Sequence, residues 1–211
     1  MNNCTNKPDS LNKKITSATV RKYIDSFDKE QEVPEEALNY VFSSYKSSQN
    51  QAEILCKVIM LNHIYSAGLN SNRATDFTKK HHVDVYLMAE KLAEKSDEIN
   101  RLIFDEAGNP WETVNYIMGL FSDNYCSVYS FVTKYCNWHN PQKFPIADNY
   151  SKGVLYYYFD KKYPRESFND YEMFCKIYKE FQECECVKDL SIKEIDKFLW
   201  KYGKDKSIKF D

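Results

Sequence analysis

The residues best equipped for chemistry sit together between Trp138 and Asp148, in the run WHNPQKFPIAD. An indole, an imidazole and an amide (Trp138, His139, Asn140) follow one another, and Pro141 and Pro145 stiffen the loop beyond them. That loop delivers a carboxylate, Asp148, to the start of the next helical pattern. A carboxylate so placed accepts hydrogen bonds from the free N–H groups of a helix N-terminus. One oxygen suffices for that cap. The other can face a cleft, where its charge stabilises a cation that develops during a reaction.

Other residues carry suitable side chains. Asn62 and His63 interrupt the most apolar helical segment, and buried polar groups need partners, so they either bond to neighbouring helices or line a cleft. Cys136 and His139 stand three apart on one helical face, but a structural zinc site takes four ligands, and Cys184-x-Cys186 is too short for a zinc knuckle. No metal and no cofactor are expected. His81 and His82 read as a solvent-facing pair at a helix entry, and Arg73 as a lone basic residue in a polar loop. The run Tyr156 to Phe159 points all round its helix, leaving at least one ring exposed or at an interface.

These residues need helices to hold them. Tyr125, Val128, Tyr129, Val132, Cys136 and His139 recur at helical spacing, and Phe131, Tyr135 and Trp138 widen the apolar arc until mainly Ser130, Thr133 and Lys134 are left for water. Upstream, residues 1–16 read as a loose tail, and a helix capped by Ser17 or Thr19 runs to about Phe27. Pro34 opens a second helix, and Gln51 to Ser66 forms an apolar central one, closed by Gly68. Helices follow over Asp84 or Val85 to Glu94, Asp97 to Phe104 and Trp111 to Phe121. Downstream, Asp170 to Glu183 and Ser191 to Tyr202 complete the set, the last with a Ser191/Glu194 capping box. No strand alternation occurs. The expected fold is all-α, with roughly nine or ten helices in one domain over residues 17–211.

Composition limits the partners. The net charge is −2, so no global field draws the chain to nucleic acid or an anionic membrane. Residues 82–124 carry nine acids against three bases, and residues 188–211 carry seven lysines against five acids. Those lysines read as a solvated helix face. To serve nucleic acid they would have to share one side with Lys152, Lys161, Lys162, Arg165 and Asp148. The seven cysteines are odd in number and scattered, which suits reduced thiols. With no apolar leader and no membrane-length apolar run, the expectation is a soluble cytoplasmic protein.

The run SFVTKYCNWHNPQKFPIADNYSKGVL, residues 130–155, resembles a motif of uncharacterised bacterial proteins. More distantly it resembles the second half of the helix-hairpin-helix (HhH-GPD) DNA glycosylase superfamily. There a glycine-rich hairpin leads into an apolar helix, and a Pro-x-Asp segment sets the catalytic aspartate at the head of another. Pro145 to Asp148 matches that segment, while the hairpin position, Met118 to Asn124, holds one glycine and Asp123. The resemblance implies two lobes around a cleft and cleavage of an N-glycosidic bond in DNA or a nucleoside-containing ligand. Asp148 would be the catalytic carboxylate, with Trp138, His139 and Asn140 near the substrate and Asn62 or His63 across the cleft. No lysine stands at the Schiff-base position, so the implied activity is monofunctional, without a lyase step. The alternative is a non-enzymatic helical interaction or scaffold protein, with Asp148 a cap and Trp138 a core anchor.

Overall fold

The described part of the chain is all-helical. The computed structural model describes residues 11, 14–65, 67, 69, 83–121 and 125–210. His81, His82, Arg73, Gly68 and most of the expected N-terminal tail lie outside those residues. Among the described residues there are nine α-helices and no strand: α1 (Ser17–Ser44), α2 (Gln51–Tyr65), α3 (Val85–Glu94), α4 (Ser96–Phe104), α5 (Pro110–Gly119), α6 (Tyr125–His139), α7 (Asn149–Tyr158), α8 (Tyr171–Gln182) and α9 (Ile192–Asp205). A 3-10 turn, Arg165–Phe168, precedes α8.

Two expected helices are in fact one. Thr16, not Ser17 or Thr19, caps α1 by accepting from the Thr19 N–H at 3.2 Å, and α1 passes through Pro34 without stopping. Pro34 removes one ladder hydrogen bond. The buried positions Val20, Ile24 and Phe27 nevertheless continue in helical step as Glu35, Leu38 and Phe42, so packing along this stripe outweighs the local start signal. The remaining boundaries fall within a few residues of expectation. Asp84, Asp170 and Ser191 cap their helices, and the Ser191/Glu194 capping box is formed.

One hydrophobic cluster joins residues from Leu11 to Tyr202. α6 lies inside it, packed by α1, α2 and α5, while α9 packs against α1 and α7. Val128, Phe131, Val132 and Cys136 are fully enclosed. The polar side of α6 is enclosed too: Thr133 and Lys134, expected to meet water, are 0% and 4% exposed. They face the loop between α6 and α7, where the loop's own polar groups require partners.

Glycines set how closely α7 is clasped. A Cβ on Gly203 of α9 would lie 2.9 Å from the Tyr150 Cβ and 3.2 Å from the Val154 Cγ2, and one on Gly153 of α7 would lie 2.9 Å from the Lys209 carbonyl carbon. The chain turns back after α9 through Ser207, at φ 53, and the Phe210 N–H donates to the Asn149 carbonyl at 2.9 Å. The Phe210 ring lies under the Lys152 ammonium, at 5.6 Å, and the Arg165 guanidinium, at 5.1 Å. Gly203→Ala therefore lowers stability by about 1–3 kcal/mol, the overpacking cost exceeding the ~1 kcal/mol of helix propensity gained. Gly119→Ala, which meets nothing within 4 Å, should be neutral or stabilising. Urea unfolding of the two variants checks this, and equal shifts in the same direction would show that the α7–α9 approach is not tight.

Candidate functional site

Asp148 sits at the head of α7, 6% exposed, as the sequence pattern requires of an N-cap. Its Oδ1 accepts from the Tyr150 and Ser151 N–H groups at 3.0 and 2.9 Å. The Ser151 hydroxyl returns the contact, accepting from the Asp148 N–H at 2.9 Å. Oδ2 faces Lys134, whose ammonium is 3.4 Å away and buried. Lys134 also donates to the Ser130 hydroxyl at 2.8 Å.

The loop before Asp148 is fixed by side chains from three helices. Asn137 of α6 donates to the Phe144 carbonyl at 2.7 Å, and Tyr171 of α8 donates to the Pro145 carbonyl at 2.8 Å. The Ile146 N–H donates to Asp196 Oδ1 on α9 at 3.2 Å, and the Ala147 N–H to the Thr133 hydroxyl at 3.2 Å. This accounts for why Pro145 is tolerated: it has no N–H to satisfy, its carbonyl is paired, and so are the Ile146 and Ala147 N–H groups that follow.

Asp196 is the hub of the site. Besides the Ile146 N–H, its Oδ1 meets the Tyr178 hydroxyl at 3.0 Å, and its Oδ2 accepts from the Asn137 amide at 2.9 Å. Burial pushes its carboxyl up to about 7. The geometry suits a shared proton. Tyr178 also lies 3.0 Å from the Ile192 carbonyl, and its single proton cannot serve two acceptors at once. A proton on Asp196 lets the carboxyl donate to Tyr178 while Tyr178 donates to Ile192.

A second group of charges closes the site from α1. Glu35, mostly buried, accepts from the Tyr65 hydroxyl and from Lys193 at 3.3 Å. Burial raises the Tyr65 phenol well above its ordinary value, with Glu35 adding to it. Lys193 lies over the Trp138 ring, 3.7 Å from its centroid, and burial lowers its ammonium against the opposing pull of Glu35. Phe27 and Trp200 complete the wall. The cavity left among these groups is about 20 Å³, enough for about one water molecule.

The residues singled out from the sequence are divided among several places. Asp148 and Trp138 border this cluster, Trp138 through Lys193 and Tyr65. His139 points elsewhere, between Phe42, Phe104 and Tyr135, with its Nε2 3.4 Å from the ammonium of Lys57. Burial, then Lys57, hold its imidazole well below the usual range, so the neutral ring offers a lone pair to Lys57, itself lowered to about 8 by burial. Asn140 donates to the Ile103 carbonyl at 3.2 Å, and Lys143 to those of Leu102 and Asp105, so both satisfy the end of α4. Asn62 pairs with both backbone groups of Leu69 at 3.0 Å, closing the loop after α2, and His63 is exposed. Lys134 reads from the sequence as facing water, and Asp196, Lys193 and Glu35 carry no sign of the site, because each stands on a helix face that reads as solvated. Thr133-Lys134 opposite a loop ending in an acid was the available signal.

The described residues thus form an all-helical domain closed around a buried ionic cluster. Residues 19–143 match the family HI_0787_N, described as an N-terminal domain, and the chain belongs to that family. An uncharacterized protein of Haemophilus influenzae is 40% identical over 81 residues, which is 36% of this chain and 37% of that protein. The chain therefore spans little more than a third of that relative. No solved structure matches significantly. These findings correct the resemblance to the helix-hairpin-helix glycosylases: the matching family is a different one, and the Haemophilus relative bears no glycosylase name. Part of the segment aligned with the glycine hairpin, residues 122–124, lies outside the described residues. No described helix is long and apolar enough to cross a membrane, and no described group of His, Cys, Asp and Glu could hold a metal ion.

Asp196 makes stability depend on pH. In the fold its carboxyl keeps a proton to about pH 7, whereas its ordinary value is 3.8. Between those values the unfolded chain binds fewer protons, so this group's contribution falls as pH rises from 3.8 to about 7 and levels off above. The full change is on the order of 4 kcal/mol. Asp196→Asn removes that slope and also sets an amide N–H against the Ile146 N–H, which Oδ1 now satisfies, costing about 1–3 kcal/mol. Urea midpoints of both proteins from pH about 5 to about 8 should converge as pH rises; parallel profiles would sink the assignment.

Proposed function

We propose that this chain is a non-enzymatic, all-helical interaction domain, in which Asp148 and its neighbours lock the head of α7 in place. The observation that carries this reading is the engagement of both Asp148 oxygens, Oδ1 by two backbone N–H groups and Oδ2 by the buried Lys134 ammonium. A catalytic carboxylate needs an oxygen within hydrogen-bond reach of its substrate. The adjoining cavity, about 20 Å³, offers room for about one water. Both Asp196 oxygens are likewise engaged. His139, Asn140 and Asn62 each have structural partners away from Asp148, so these residues do not converge on one reacting atom.

Cleavage of an N-glycosidic bond by Asp148 is the competing reading, and one pair of variants separates the two. Asp148→Asn keeps a capping oxygen but strands the Lys134 charge, a loss of roughly 3 kcal/mol; Lys134→Met strands the carboxylate at similar cost. A structural clasp gives a double variant less destabilised than the sum of the singles, with a coupling of about 1–3 kcal/mol in urea unfolding. It also gives no base release from modified duplexes or nucleosides by native protein. Base release that Asp148→Asn abolishes, at temperatures where the variant is folded, would overturn the proposal.

A further inference from the structure

A separate cleft of about 780 Å³ opens at the other end of the α1–α9 contact, within the size range of small-molecule sites. Its polar rim is formed by Lys14 and Lys22 at the start of α1 and by Lys206 and Lys209 beyond the end of α9. Among the described residues no aspartate or glutamate lines it, in a chain whose net charge is −2. Lys22 and Lys206 are exposed and make no ion pair among the described residues. Like charges gathered on a concave surface raise one another's potential and focus it on the cavity. Part of that cost is offset at Lys206, which caps α9 and so meets the negative end of its dipole.

The floor is aromatic. Tyr23 and Tyr202 meet edge to face with centroids 5.0 Å apart, and half-buried Tyr157 approaches from the end of α7. Ammonium groups serve phosphate oxygens as compact point charges, and tyrosine rings accept the faces of nucleobases with little sequence preference. The left-handed turn at Ser207 brings Lys209 back to the rim, so the cleft depends on the same chain reversal that docks Phe210 against α7.

We infer that this cleft binds the nucleotide unit, phosphates against the lysines and base against the tyrosines, either as a free nucleotide or as part of a single strand. The site is distinct from the Asp148 cluster and does not depend on how that cluster is read. Calorimetric titration at low ionic strength with ATP, with tripolyphosphate and with an oligothymidylate tests it. ATP or the oligothymidylate binds the native chain, and whichever binds identifies the source. The double variant Lys22→Glu, Lys206→Glu weakens that binding about tenfold or more, as does raised salt, while its thermal midpoint falls by a few degrees at most, because neither lysine is in an ion pair among the described residues and only the place of Lys206 at the α9 C-terminus is lost. Tyr157→Leu weakens the nucleotide about tenfold and leaves tripolyphosphate binding as it was. Failure of both nucleotide probes, or binding indifferent to the lysine reversals, overturns the inference. So does equal loss of tripolyphosphate in Tyr157→Leu, since the ring would then have no part in recognising a base.

Discussion

The arrangement rests on one buried carboxylate that four parts of the chain must share. Asp196, on α9, accepts from the Asn137 amide of α6 and the Ile146 N–H of the loop and shares a proton with the Tyr178 hydroxyl of α8. Withdrawing a carboxyl group from water is costly even when it keeps its proton, and only converging hydrogen-bond partners make it tolerable. Those donors arrive together or not at all. Displacing the loop would take one partner each from Asp196, Asn137 and Thr133 in the core. This is why a proline-bounded segment without regular structure can be as fixed as the helices around it, and why Asp148 reaches the head of α7 in a single orientation.

The family match ends at residue 143, within that loop. The ionic cluster is thus built across the limit of the match. Asn137, Thr133, Lys134, Glu35 and Tyr65 fall inside it, while Asp148, Lys193 and Asp196 fall outside. The matched segment brings the partners of those three residues, and α7 and α9 bring the charges that answer them. α1 and α9 are further joined by Lys197 with Asp28 at 2.6 Å and Lys201 with Glu30 at 2.8 Å, pairs nearer the surface and correspondingly weaker.

Much of the helical layout could be read from the chain because its start signals and apolar periods agree. Asp84, Asp148, Asp170 and Ser191 cap helices as their positions indicate. Pro34 misled because a local signal competes with a buried stripe whose other half lies far away in sequence. The site was legible only in Asp148 and Trp138, which border it. Lys134, Lys193 and Asp196 look like solvent-facing residues of amphipathic helices, and nothing local reveals that a second helix covers them. Asn62 and His139 stand out in apolar helices for the opposite reason: each satisfies one specific buried group, a loop backbone and Lys57, and polarity within a core marks such a need as readily as it marks chemistry.

The Glu35–Lys193 contact spans 158 residues, and this bears on how the protein is made. During synthesis α1 leaves the ribosome long before α9 exists, with Phe27 and Glu35 still lacking their cover. The helices between them can form early from local contacts. The core cannot close until Lys193, Asp196 and Phe198 have emerged. Contacts of such separation slow folding and make it depend on the last elements to arrive, so a growing chain stalled before α9 would expose the α1 stripe to chaperones or to other nascent chains.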